Sequence, residues 1–320
     1  MTRTHRMSIN ALDALRLRHG ARQMEEQFHA LALRDEDAAL AQLNDSNLQY
    51  STLYLLEPEI VKMGLGGRLS DRNRLARLFA AALTEGPSSL ANGDRPELQP
   101  VLRWMQGTGW QAEPMEEQYE RILDRAAILL THRYHDDASL PAIAEHLFAR
   151  HRHGRYAYDL QWALFAGAPD TCLQLLQNKL RSADGRDVEL ARKLLNVAPS
   201  FSTAGNPERQ RRLAGQWLTR NRAFLRPTGA TSQEGPDIHR WELAHDQKYL
   251  HHRMQGGEVE RILSPWEMAR LQAFAACGEG ERQLLSECSQ RLRRHNLARW
   301  QCWMNKPIDQ QLRTARRLLG

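Results

Sequence analysis

Cys288, His295 and Cys302 stand seven residues apart in SECSQRLRRHNLARWQCW, residues 286–303. Thiolate and imidazole are ligands that suit zinc, and two thiols are the raw material of a disulfide. On one helix a spacing of seven puts neighbours on nearly one side, yet about 10.5 Å apart along the axis. Zinc holds its ligands at about 2.0–2.3 Å, and a disulfide needs Cα atoms within about 7 Å, so neither forms within a single helix. The stretch therefore reads as a packed helical stripe with two buried thiols. Arg291, Arg293 and Arg294 ring that helix, and Arg299 falls on the apolar stripe itself. That placement calls for a bend near Asn296 or for a partner lying on the stripe. Trp300 and Trp303 close the stretch, as an interface anchor or as a cap on a core.

Histidine offers the next chemistry. His146, His151 and His153 in HLFARHRH point to different sides of a helix, so they do not converge on one ion. The dipeptides His135–Asp136 and His245–Asp246 supply the pair that all-helical metal-dependent phosphohydrolases use. That reaction needs a further upstream His and downstream Asp around the metal, and none is suitably placed. A metal-dependent hydrolase is thus only the third reading. GLGG (64–67) and QGTGW (106–110) lack the Gly-Lys-Ser/Thr ending of a phosphate loop and read as turns between helices. Neither Gly-x-Ser-x-Gly nor His-Glu-x-x-His occurs. No catalytic residue, cofactor or metal ligand is assigned, and the reading leans away from an enzyme.

Charge is more informative in its distribution than in its amount. Of the 44 positive residues only Lys62, Lys179, Lys193, Lys248 and Lys306 are lysine, a bias typical of GC-rich coding, so arginine count alone says little about ligands. Residues 281–320 carry nine positive and three negative side chains, which equals the +6 of the whole chain. Residues 207–226 carry six arginines and Glu208. This asymmetry predicts a positive surface towards the C-terminus, suited to a polyanion or an acidic partner. Residues 207–222, PERQRRLAGQWLTRNR, divide it most clearly. Leu213, Ala214, Trp217 and Leu218 share one side, and Arg209, Arg211, Arg212, Arg220 and Arg222 the other.

These groups are carried almost wholly on helices. The fold class expected is all-α, a multi-helical array or irregular bundle, open as a degenerate solenoid, with one small β-hairpin near 224–243. In MEEQYERILDRAAILL (115–130) Met115, Tyr119, Ile122, Leu123, Ala126, Leu129 and Leu130 share a 120° arc, with Pro114 in the first turn and Glu117–Arg121 as an i,i+4 pair. Helices are predicted near 8–19, 22–33, 36–44, 46–57, 72–84, 139–151, 155–167, 170–182, 186–196 and 207–224. Gly154, Gly167 and Gly185 stand at C-terminal ends, and Asp170 and Asp187 near N-termini. AFLRPT and IHRWEL are the two short strands. Ser264, Pro265 and Glu267 form a capping box, a long helix spans 281–304, and Pro307 precedes a last short one. The Gly/Pro/Ser-rich stretch 84–100 places a boundary between residues 1–95 and 96–320.

About fifteen helices, four dispersed cysteines and no long apolar run point to a reduced cytoplasmic protein that neither crosses a membrane nor carries a secretion signal. The function expected is a non-enzymatic helical scaffold or adaptor that binds another macromolecule, most simply a protein. The alternative is nucleic-acid binding through a winged-helix-like 207–243 and the basic C-terminal helices. The contact residues named for either are Arg209, Arg211, Arg212, Arg220, Arg222, Arg291, Arg293, Arg294, Arg299, Trp300 and Trp303.

Overall fold

A computed structural model describes residues 9–85, 96–110, 115–195, 207–228, 241–252 and 262–319. Among them are eighteen α-helices and one two-stranded sheet, the all-α architecture with a small hairpin that the residue pattern predicts. None of the helices is long and apolar enough to cross a membrane. Internal contacts group the chain into two compact units, Met1–Gly167 and Ala168–Gly320.

The first unit holds α1 (Ala11–His19), α2 (Ala21–Arg34), α3 (Glu36–Leu43), α4 (Tyr50–Leu55), α5 (Glu57–Lys62) and α6 (Asp71–Glu85), then α7 (Leu98–Thr108), α8 (Glu117–Ile128), α9 (Leu140–Arg152) and α10 (Tyr158–Ala166). Its elements begin where side chains can serve orphan helix N–H groups. Asn10 accepts from the N–H of Leu12 at 2.8 Å, and Asp35 from that of Ala38 at 3.0 Å. Glycine is needed where the backbone turns left-handed, at Gly20 (φ 86°) and Gly64 (φ 67°). At Gly167 a Cβ would sit 2.5 Å from the Leu140 side chain, so only glycine lets the end of α10 approach α9. One core runs from Leu12 and Phe28 through Leu53, Phe79 and Met105 to Leu130. It draws on α6, α7 and α8 alike, on both sides of the expected boundary at 95/96; residues 86–95 lie outside the described ones.

Three details differ from the expected elements in this unit. In place of one helix over 46–57 there are two short ones, α4 from Tyr50 and α5 from Glu57, that meet at Leu56. Of QGTGW, read as a turn, residues 106–108 form the end of helix α7, which buries Leu98, Val101, Leu102, Met105 and Gln106. The helix of 115–130 begins at Glu117 and passes into a π-helical turn at Leu129–Arg133; Pro114 lies outside the described residues, and the Glu117–Arg121 pair is present.

The second unit holds α11 (Pro169–Lys179), α12 (Gly185–Leu195), α13 (Pro207–Asn221), β1 (Leu225–Pro227), β2 (Trp241–Leu243), α14 (His245–Leu250), α15 (Pro265–Ala275), α16 (Glu279–His295), α17 (Leu297–Met304) and α18 (Ile308–Leu319). Gly185 opens α12, where a C-terminal role was expected. β1 and β2 pair antiparallel, Leu225 opposite Leu243 and Pro227 opposite Trp241. The capping box at Ser264 forms in full. The expected helix 281–304 is broken. Asn296 adopts extended angles (φ −160°, ψ 106°), ends α16 and caps α17 by accepting from the N–H of Arg299. An Asx side chain that competes for backbone donors is the physical reason. The second core gathers Tyr249, Phe274, Leu285, Cys288, Trp300, Trp303 and Met304 around α16.

Candidate polyanion-binding cleft

The basic helix α13 does not present its arginines to open solvent alone. It forms one wall of a cleft of about 780 Å³ with the end of α11 and the end of α16. Arg181, Arg212, Arg220 and Arg294 line it, with Gln177, Gln216 and Thr219; Glu208 is the one carboxylate among the lining residues. All four arginines are exposed. Among the described residues Arg181, Arg212 and Arg294 have no carboxylate partner, and Arg220 commits only its Nε–H, to the carbonyl of Gln216 at 3.2 Å. Arg181 and Arg294 sit at or just past helix C-termini, where a cation also complements the helix dipole. Arg212 stands mid-helix and has no such second role.

Polar braces tie α13 to α16 and α14. Lys248, fully buried on α14, donates from Nζ to Asn221 Oδ1 at 2.8 Å and to Glu287 on α16. Burial pulls its ammonium below the ordinary lysine range, and the charge and hydrogen bond of Glu287 oppose that pull. Gln290 Nε2 donates to the carbonyl of Arg220, at the end of α13. Ser289 donates to the Tyr249 carbonyl at 2.5 Å and accepts from Trp300 Nε1 at 2.8 Å. The spacing of Arg212 and Arg220 from Arg294 is therefore fixed by interior hydrogen bonds.

The remaining residues named from the sequence scatter. Arg222 pairs with Asp170 at 3.1 Å, and Arg291 donates to the Leu318 carbonyl at 2.9 Å. Arg293 lies over the Trp300 ring, 4.5 Å from its centroid, and Arg299 is exposed in the first turn of α17. The side chains of Arg209 and Arg211 lie outside the described residues. Trp300 and Trp303 are 8% and 3% exposed and belong to the core. The break at Asn296 also dissolves the supposed stripe: Cys288 is buried, whereas His295 and Cys302 are exposed. On α13 Leu218 is buried as expected but Leu213 is 39% exposed. Arg181 is the cleft residue the sequence did not single out.

The histidine–aspartate pairs are otherwise engaged. Asp136 holds Arg103 in a two-point ion pair at 2.7 and 2.9 Å and accepts from Ser139 at 2.6 Å. Burial would raise its carboxyl, and the bonds from Arg103 and Ser139 outweigh that, leaving it below the usual range. His245 Nδ1 lies 2.8 Å from Ser286 Oγ. Among the described residues no three His, Cys, Asp or Glu side chains are placed to hold one metal ion.

Fold and cleft together define an all-helical protein with an arginine-lined groove in its second unit. No protein-family model, curated protein or solved structure matches this chain.

Proposed function

We propose that the chain is a non-enzymatic helical binding protein whose second unit grips the phosphate backbone of a nucleic acid in the cleft of α11, α13 and α16. One observation carries this reading: four guanidinium groups, from α13, the end of α16 and the turn after α11, line one groove that has Glu208 as its single carboxylate. Guanidinium forks match phosphate oxygens, and a surface that leaves them unpaired has electrostatic attraction to offer an incoming anion. The hairpin after α13 gives the order of a winged helix, but it is the groove that argues for the ligand. The test is a fluorescence-polarisation titration of a labelled mixed-sequence DNA duplex with the full chain and with the Arg212→Ala/Arg294→Ala variant. Binding that weakens in the variant supports the reading; equal binding by both sinks it.

A protein partner is the second reading. Ile262, Trp266 and Met268, at 95%, 41% and 47% exposed, place large apolar groups on the surface at the start of α15. A partner retained through nuclease treatment and released by Trp266→Ser would favour it.

A further inference from the structure

The first unit contains a pocket of about 530 Å³ between α4, α5, α6 and α8, with Glu25 of α2 at its edge. That volume is in the range of small-molecule sites, and Leu53, Leu55, Pro58, Ala80, Ala81 and Ile122 give it an apolar lining. Its polar groups are few and unequal in sign. Glu25, Glu57 and Glu116 face a single cation, Arg77. Arg77 is already satisfied, since its Nε and Nη2 donate to both oxygens of Glu57 at 2.5 and 2.7 Å. An anionic ligand would thus meet no free guanidinium and two surplus carboxylates.

Tyr50 supplies the second, independent observation. It is 1% exposed, and its hydroxyl has no hydrogen-bond partner among the described residues. Buried hydroxyls nearly always find a partner, so an orphan beside a cavity marks a place where a ligand can complete the set. Tyr50 is itself one of the residues that line the pocket, together with Tyr54 and Glu57. Tyr54, whose own hydroxyl donates to Glu116, lies 4.8 Å by ring centroid from Tyr119, and Tyr119 stacks on Tyr50 at 5.6 Å. Aromatic rings offer a negative face to a cation, and the phenolic oxygen of Tyr50 can accept a hydrogen bond from an ammonium.

We infer that this pocket binds a small organic amine in its protonated form, the ammonium held by Glu25, Glu116 and the Tyr50 hydroxyl and the hydrocarbon body lying among Leu53, Leu55 and Ile122. The site is separate from the cleft of the second unit and stands or falls independently of it. The probe is phenethylamine, titrated into the full chain by calorimetry, with phenethyl alcohol and 3-phenylpropionate as neutral and anionic counterparts. The amine is expected to bind saturably, at least about tenfold tighter than the alcohol, with no binding of the carboxylate. Tyr50→Phe removes a hydroxyl with no hydrogen-bond partner among the described residues, so it should leave thermal stability intact while weakening the amine several-fold. Glu116→Gln, at an exposed position, should weaken the amine and leave the alcohol unchanged. Absence of saturable binding, equal affinity for alcohol and amine, or an amine affinity indifferent to both variants would each overturn the assignment.

Discussion

Acid stability of the first unit turns on two buried groups that pull in opposite directions. His146 on α9 is 4% exposed, and burial together with Arg150 one turn on pushes its imidazole down to about 4. The unfolded chain takes up that proton near pH 6.5, so the group's stability contribution is lost as pH falls through the window between them, by about 2.5 kcal/mol at about pH 4.5. Asp124 on α8, 4% exposed, is pushed up to about 6 by burial, against the opposing pull of Arg150, which donates to it at 2.7 Å. Here the folded chain takes the proton first, so stability rises as pH falls from about 6 towards 3.8, by about 2 kcal/mol at about pH 4.5. In the native protein the two nearly cancel. His146→Leu removes one side of the balance and unmasks the other. Urea unfolding followed by far-ultraviolet circular dichroism, at neutral pH and at about pH 4.5, separates the terms, because every other titrating group drops out of the difference between variant and native chain. The variant should gain about 2.5 kcal/mol relative to the native chain on going to the lower pH. Parallel shifts of the two proteins would refute the assignment of opposed titrations to these side chains.

Further outcomes follow from the second unit. Lys248→Met keeps the buried stem and loses the ammonium that links Asn221 to Glu287, so it should cost about 1–2 kcal/mol and weaken anion binding without touching a cleft arginine; full affinity in the variant would show that the brace does not position α13. Cys302 is exposed while Cys172 and Cys288 are buried, and burial raises the Cys288 thiol to about 11. Ellman's reagent should therefore modify Cys302 first and reach Cys288 only on unfolding; rapid labelling of Cys288 in the native protein would contradict its placement in the core.

Helical periodicity and local capping were legible because they depend on near neighbours. The α8 face, the Ser264–Glu267 box and the pairing of Leu225–Pro227 with Trp241–Leu243 all follow from residues within a few positions or one hairpin of each other. Helix α7 was hidden by Pro100 and Gly107, although its Leu98, Val101, Leu102 and Met105 recur at helical spacing and are all buried. Pro100 stands in the first turn, where its missing N–H is of no consequence. At Asn296 the sequence was half legible: Arg299 on the apolar stripe pointed to a bend there or to a partner, and it is the Asn296 side chain, by capping Arg299, that ends one helix and starts another. The cleft was half legible. Arg212, Arg220 and Arg294 stood out by local charge, but their meeting with one another and with Arg181 depends on Lys248, Glu287 and Gln290, which are distant in sequence. The amine pocket left no local trace, since Tyr50, Glu25, Arg77 and Glu116 come from four segments that only packing unites.

The central claim concerns the four cleft arginines, and the salt dependence of duplex binding tests it most directly. Four phosphate contacts give a slope of about −3.6 in log affinity against log salt, which is roughly a 150-fold loss between 50 and 200 mM. The Arg212→Ala/Arg294→Ala chain should show a slope shallower by about 1.8. Identical slopes for the two proteins, or binding indifferent to salt, would contradict the account.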